Sequence, residues 1–589
     1  MPAEIDNPLE NYRNHFREGF LHAAEEEFQR LLKASGVDEA ENARRVAAIR
    51  KLEGQLSSAE SKKGLLTMLM ILLFLGLAAA GFCCYHGFEI QNQDYQLYGG
   101  GAAAAILLLL ITWVIPARSR ASTQVSELQQ KLEEEKNAAY EQMAPLNALY
   151  DWDITSRLIH KVCPILNLDP YFTEGRLAEL EDHFGWNRAY HTNQRSVLFS
   201  QSGDIQGNPF AFGEVLAQEW GKKTYSGSIV IHWRERCTDS KGKSYWVTRS
   251  ETLVATVTKP IPVYGLEKFL IYGNDAAPDL SFSREPSSLS KAGNGWWDRH
   301  RMKREYKKLK KYSENLDDDS QYTLMSNQDF EVLFHAMNRD HEVQFRLLYT
   351  PLAMQQTVSL LKDQEVGYGD DFKFIKDHRM NTILPEHLRN FDLTTDPAIY
   401  RNYNLEDARR FFLTHNAEYF KQVYFSLAPL LCVPLYQQMR TAKTIYGYTP
   451  GEESSFWEHE SLANYLGEER FRHPSSITRN ILKTEKFSRN GQSSSVIVTA
   501  HGFRGEKHVE YITKWGGDGH THEVPVEWIE YLPVEQVTQF ELSEQIPVPM
   551  EAEDGPQTAR DRLQNLLGHF GGITPLHAAY RRSVFAWMK

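Results

Sequence analysis

Two apolar runs separated by a short polar loop constrain this chain more than any other feature. Residues 65–84 (LLTMLMILLFLGLAAAGFCC) carry no ionisable group except cysteine, and residues 99–116 (GGGAAAAILLLLITWVIP) carry no charge. Each run is close to the ~20 residues that an α-helix needs to cross a hydrocarbon core. The 85–98 segment between them is too short to form a domain, so the pair reads as a transmembrane helical hairpin with the rest of the chain on one side of the bilayer. Core helices of this length usually show a polar stripe, and these runs have none. The mostly polar 1–64 segment ahead of the first run argues against a cleaved signal peptide.

Orientation follows from the flanks. Lys62 and Lys63 precede the first run and Arg118 and Arg120 follow the second, whereas the loop holds Glu89 and Asp94 and no Lys or Arg. The positive-inside rule then places both termini in the cytoplasm, as in a multi-pass protein of the cell inner membrane whose first partner is the lipid bilayer. With 42% hydrophobic and 12% aromatic residues the 589-residue chain can also bury a sizeable soluble core. A formal net charge of -12 argues against nucleic acid as a bulk partner. Cys83 and Cys84 fall in the first run and Cys163, Cys237 and Cys432 are scattered, which indicates neither a disulfide framework nor a cysteine zinc site.

Taken in order, 1–64 reads as a cytosolic helical region. Phe16, Phe20, Ala24, Phe28 and Leu31 recur at helical spacing over 8–33, and a second helix over 38–61 leads into the 65–116 hairpin. The 117–150 segment has the same periodicity; it forms either a stalk antiparallel to 38–61 or an independent amphipathic helix. From 151 to 285 the period shortens to that of strands, at 196–199, 210–218, 224–236 and 244–258, the last two joined by a turn at 239–243. Tyr225, Gly227, Ile229, Ile231 and Trp233 share one alternating face, and Gly227 alone has no side chain to pack. The 286–320 segment is a basic linker helix. The 321–485 segment is a mostly helical α+β domain with helices at 327–340 and 351–362, a short strand at 345–348 and an apolar run at 423–436, too short to span, that Pro429 and Pro434 interrupt. A small β-rich domain at 486–546 precedes a linker and C-terminal helix at 547–589, the helix itself being expected over 558–567. The fold class expected is therefore α+β: a helical stalk and transmembrane hairpin, then a cytosolic mixed body with antiparallel sheet.

Three groups of residues bear on function. Trp296 and Trp297 head a basic helix that contains Lys307, Lys308, Lys310 and Lys311, a pattern suited either to an anionic leaflet or to a solvated surface. Glu458, His459, Glu460 and His473 offer two carboxylates and two imidazoles for acid/base work, although adjacent positions on a helix splay over different faces. His520 and His522 form an H-x-H pair to which His501 and His508 could add metal ligands. No Walker, dinucleotide-binding, H-E-x-x-H or G-x-S-x-G pattern is present, so no cofactor is expected and the weight falls on a non-enzymatic role.

Phe330-x-x-x-Phe334, then Asp340-x-Glu342, Leu347-Leu348 and Pro351, resembles a bacterial family of uncharacterised membrane proteins. In that family two N-terminal transmembrane helices precede a cytosolic α+β domain. The resemblance implies topology and no chemistry. The expected function is that of a two-pass membrane protein whose cytosolic body is a scaffold or platform for protein partners. The alternatives are a membrane-tethered hydrolase and an anionic-lipid surface sensor.

Overall fold

The chain is α+β, and its computed structural model describes residues 5–89, 93–186, 192–238, 242–291, 295–314, 322–440, 453–490, 493–544, 577–580 and 583–587. It divides into two units. One comprises Glu25–Tyr150 and Pro397–Thr414, the other the remainder of the chain.

In the first unit, Glu39–Glu89 is one uninterrupted helix of 51 residues. The chain returns through Gln93–Leu109, a single π-helical turn at Leu110–Val114, and Ile115–Asn147. Small residues let the apolar limbs approach closely. A Cβ on Gly99 would lie 2.8 Å from the Cys84 nitrogen, and one on Gly76 would meet Ile106 at 3.5 Å. The polar limbs are laced antiparallel by Lys136 to Glu53 at 2.7 Å and Gln129 to Glu60 at 3.4 Å, which is the stalk arrangement. Buried Asn42 and Asn147 join this unit to its second segment. Asn42 donates to the Tyr403 carbonyl and accepts from Leu405 N, and Asn147 exchanges hydrogen bonds with the Asn402 backbone.

The other unit is built on two antiparallel sheets. The first has seven strands: β1 (Leu166–Leu168), β2 (Arg195–Ile205), β3 (Asn208–Thr238), β4 (Ser244–Gly273), β5 (Ser281–Arg284), β6 (Phe372–Asp377) and β7 (Met380–Pro385), in the order β1-β2-β3-β4-β7-β6-β5. It takes strands from both sides of residue 285, so a single sheet spans the two segments read separately as 151–285 and 321–485. The second contains β8 (Ile481–Asn490), β9 (Ser493–Trp515) and β10 (Thr521–Glu544), with the short β11 (His577–Tyr580) and β12 (Ser583–Trp587) on its β10 edge.

β3 and β4 continue well past their neighbours, because β2 covers β3 only to Ala217 and β7 covers β4 only at its C-terminal end. The remainder is a two-stranded arm. β9 and β10 form another arm, since β8 stops pairing at His501. An isolated two-stranded ribbon is marginal in water. These two stack, burying Ile231, Leu253, Ala255 and Val257 of one against Val524 and Val526 of the other. Lys259 braces the seam with an ion pair to Glu510 at 2.6 Å and lies 4.3 Å over the Trp528 ring.

Several expectations are corrected. The 345–348 strand is instead part of a helix, Glu342–Leu348. Phe345 and Leu348 stand three apart and are both fully buried, Phe345 among the rings of Phe330 and Phe334, and only helical spacing puts both on one face. The helix expected to reach residue 340 ends at Phe334, where His335 adopts a left-handed backbone at φ 52°. Pro429 does not break its helix, which runs Leu405–Leu431 with the proline in the last turn. The helix expected at 558–567 lies outside the described residues, as does most of the 239–243 turn.

Candidate functional site

The acid/base candidates sit on the helix Phe456–Leu466, which is buried nearly all round: Trp457 through Ala463 are all sequestered. The helix packs on the exposed edge of β2, where the β2–β3 register shifts between Val197 and Phe199. An unpaired edge leaves backbone groups that need partners. Glu460 supplies one, its Oε2 accepting from Val197 N at 3.0 Å, and Asn464 Nδ2 donates to the Val197 carbonyl at 2.8 Å. The other oxygen of Glu460 pairs with Lys483 of β8 at 2.6 Å, and Ser196 Oγ donates to the Leu482 carbonyl at 2.9 Å. The helix is thus the junction between the two sheets. Burial pushes the Glu460 carboxyl upward and Lys483 opposes that shift.

Its neighbours turn elsewhere. Glu458 Oε2 accepts from Phe172 N at 3.4 Å, and His459 Nε2 hydrogen-bonds the Ser454 hydroxyl at 2.9 Å. Both contacts hold 453–455 against 172–174, where Ser455 N donates to the Phe172 carbonyl and Glu174 N to that of Glu453. His473 is in a separate turn, its Nδ1 accepting from Ser475 N and hydrogen-bonding the Ser475 hydroxyl. These hydrogen bonds take the four residues to four different places: Phe172, Ser454, Val197 and Ser475.

Burial, then nearby Lys486, pushes the His459 imidazole down to about 3 from an ordinary 6.5. Between those values the unfolded chain binds the proton and the folded one does not, so stability falls as pH drops below about 6.5. At pH 4.5 the penalty is roughly 2–3 kcal/mol. The variant His459→Gln is expected to show a correspondingly shallower loss between pH 7 and 4.5 in denaturant titrations. A pH profile parallel to that of the parent would show that His459 does not carry the effect.

The C-terminal histidines are distributed along the β9–β10 arm rather than gathered. His522 Nε2 pairs with Asp518 across the tip at 2.9 Å, the His520 backbone N–H also bonds Asp518, and His501 pairs with Glu535 at the base. His522 pairs with Lys514 of β9, so His508 and His501 lie further down that strand by roughly 20 and 43 Å at the usual strand rise, and neither can join an H-x-H ligand set at the tip. A different triad does converge: Glu506, His508 and Glu530, with ligand atoms all within 4.8 Å. Glu506 and Glu530 are direct cross-strand partners, and the His508 ring stacks on Trp528 at 4.9 Å. One nitrogen and two carboxylates could hold a divalent cation. Arg504, paired with Glu506 at 2.9 Å, already offsets part of their charge. The sequence reading included His508 but not the two glutamates, because only the register of β9 on β10 brings Glu530 to it.

The basic helix runs Trp296–Glu314. Leu309 is its buried anchor, and Tyr312 meets Tyr322 edge-on at 5.6 Å. Lys307, Lys308, Lys310 and Lys311 are exposed; Lys308 pairs with Glu305 at 2.7 Å and Lys310 lies 3.9 Å from Glu314. Trp296 and Trp297 are 65% and 73% exposed and meet each other edge-on at 4.5 Å, so most of their apolar area faces outward.

The residues behind the family resemblance have structural work within the fold. Phe330 and Phe334 stack in the core at 4.9 Å, Asp340 accepts from Ser281 N at 2.7 Å, and Glu342 holds Arg339 at 2.7 Å. No family model matches the chain, and neither a curated protein nor a solved structure matches it.

Proposed function

We propose that the chain is a two-pass membrane protein whose α+β unit serves as a cytosolic scaffold for protein partners. The observation that carries this reading is the outward-facing apolar surface of the helical hairpin. The two helices are long and apolar enough to cross a membrane, and only 0% and 11% of their apolar windows is buried. Leu65, Met68, Leu75 and Phe82 on one limb and Leu108, Ile111 and Trp113 on the other are all more than half exposed. A core helix of a water-soluble protein would bury those side chains, whereas lipid accommodates them. The platform half of the reading is supported by the site geometry: buried Glu460 ties the edge of β2 to Lys483 of β8, and Glu458 and His459 hold 453–455 against 172–174.

With Lys62, Lys63, Arg118 and Arg120 as flanks, both termini belong on the cytoplasmic side of the cell inner membrane. The full chain is expected to resist alkaline extraction from membranes, and reporters fused before Met1 and after Lys589 should both report cytoplasm. Introducing Leu72→Arg with Leu108→Arg places two charges where each costs about 2.5–3.5 kcal/mol, and should release the chain. An extractable parent, or a non-cytoplasmic signal from either reporter, would overturn the topology.

A second reading, that of an anionic-lipid surface sensor, is favoured by one observation: the adjacent exposed indoles of Trp296 and Trp297 at the head of a lysine-rich helix. Aromatic rings at headgroup depth with nearby Lys each adding about 1 kcal/mol would hold that helix to an acidic leaflet.

A further inference from the structure

The basic helix carries Arg301 and Arg304 on one flank, a stripe that continues along the helix to Lys308 and Lys311. Along that flank a cavity of about 590 Å³ opens between the helix, the segment that follows β5, and the end of the Gln328–Phe334 helix. Arg301 and Arg304, one helical turn apart, line it from one side, with His335 and Ser288 among the other lining residues. Two carboxylates also line it, and each is already matched: Glu285 to Lys373 and Glu305 to Lys308. The deeper Arg284 is neutralised by Asp370 at 2.6 Å. Among the described side chains neither Arg301 nor Arg304 has a carboxylate partner, and the cavity lining sets these two guanidinium groups together with an imidazole and a hydroxyl.

We propose that this cavity binds a phosphate monoester group. Two guanidinium forks match the oxygens of a dianion, whereas a lone carboxylate would satisfy only one of them. The volume suits a small phosphorylated molecule or the headgroup of a phospholipid that ends in a free phosphate. The assignment does not rest on the membrane reading, because the group recognised is the same in either source.

The test uses the full chain in neutral detergent or in phosphatidylcholine nanodiscs. Glycerol 3-phosphate, titrated at constant ionic strength against chloride, should raise the thermal midpoint in a saturable way. Nanodiscs that include phosphatidic acid should do so without added ligand if the lipid headgroup is the source. Arg301→Gln and Arg304→Gln should each weaken binding about tenfold or more, as expected for a lost charged hydrogen bond. Both residues are exposed and, among the described side chains, unpaired, so neither change should lower the midpoint without ligand. The control Lys307→Gln with Lys311→Gln should bind like the parent. Equal loss in that control would show a diffuse charge effect, and no shift with either phosphate source would show no site; each result overturns the proposal.

Discussion

Replacing Glu460 by alanine is expected to destabilise the α+β unit by about 3–5 kcal/mol, the range for breaking a buried ion pair by removing one partner. The Glu460 side chain is fully buried and that of Lys483 nearly so, at 0% and 11% exposure. Deleting the carboxylate strands the ammonium, leaving it the Arg195 carbonyl at 3.2 Å and the Phe456 ring at 5.8 Å, and orphans the Val197 N–H on the open edge of β2. Glu460→Gln combined with Lys483→Met should cost less than the single alanine change, since it keeps an acceptor for Val197 and removes both charges together. Denaturant unfolding followed by tryptophan fluorescence measures both variants against the parent. The outcome also separates a structural from a catalytic carboxylate. Catalytic groups are commonly held at the expense of stability, so an alanine variant as stable as the parent, or more so, would return Glu460 to the list of acid/base candidates.

How far each feature could be read in advance follows from how local its cause is. The apolar helices and their Lys and Arg flanks are set by composition within a window of some twenty residues, so the helical hairpin was legible from the sequence, as were the α+β class and the antiparallel pairing of β3 with β4. The helix 342–348 was not, because a short apolar run fits strand and helix alike until its neighbours are known. The roles of Glu458 and Glu460 were hidden for a different reason. Their backbone partners lie 286 and 263 residues away, and no spacing rule links Glu460 to an edge defect in β2. The pattern E-H-E does carry one local message, that adjacent helical positions splay, and the structure shows three separate partners. The triad Glu506, His508 and Glu530 shows the same limit in a sheet, where only the strand register decides which residues meet.

Gly227 is expected to be the least replaceable glycine of the arms. In the sequence it is an oddity, the one position on an otherwise bulky alternating face of β3 with nothing to pack. The structure supplies the reason: a Cβ there would lie 1.9 Å from the Pro525 carbonyl oxygen and 3.1 Å from the Val526 Cα. Both are backbone atoms of β10 and cannot rotate aside, so a side chain at 227 must push the two arms apart. Separation exposes the seam formed by Ile231, Leu253, Val257, Val524 and Val526, each worth about 1.5–3 kcal/mol when fully buried. Gly227→Val should therefore cost at least about 3 kcal/mol. It should also raise amide hydrogen exchange along 219–263 and 502–536 while leaving the sheet positions of β2 and β7 protected. Gly265→Val is the matched control. It lies on β4, where a Cβ would meet nothing within 4 Å, and removing a strand glycine there should be neutral or stabilising by roughly 0.5–1 kcal/mol. If the two valine variants unfold at the same denaturant concentration with the same exchange pattern, the close crossing at Gly227 does not hold the arms together, and the face of β3 is free of β10 in solution.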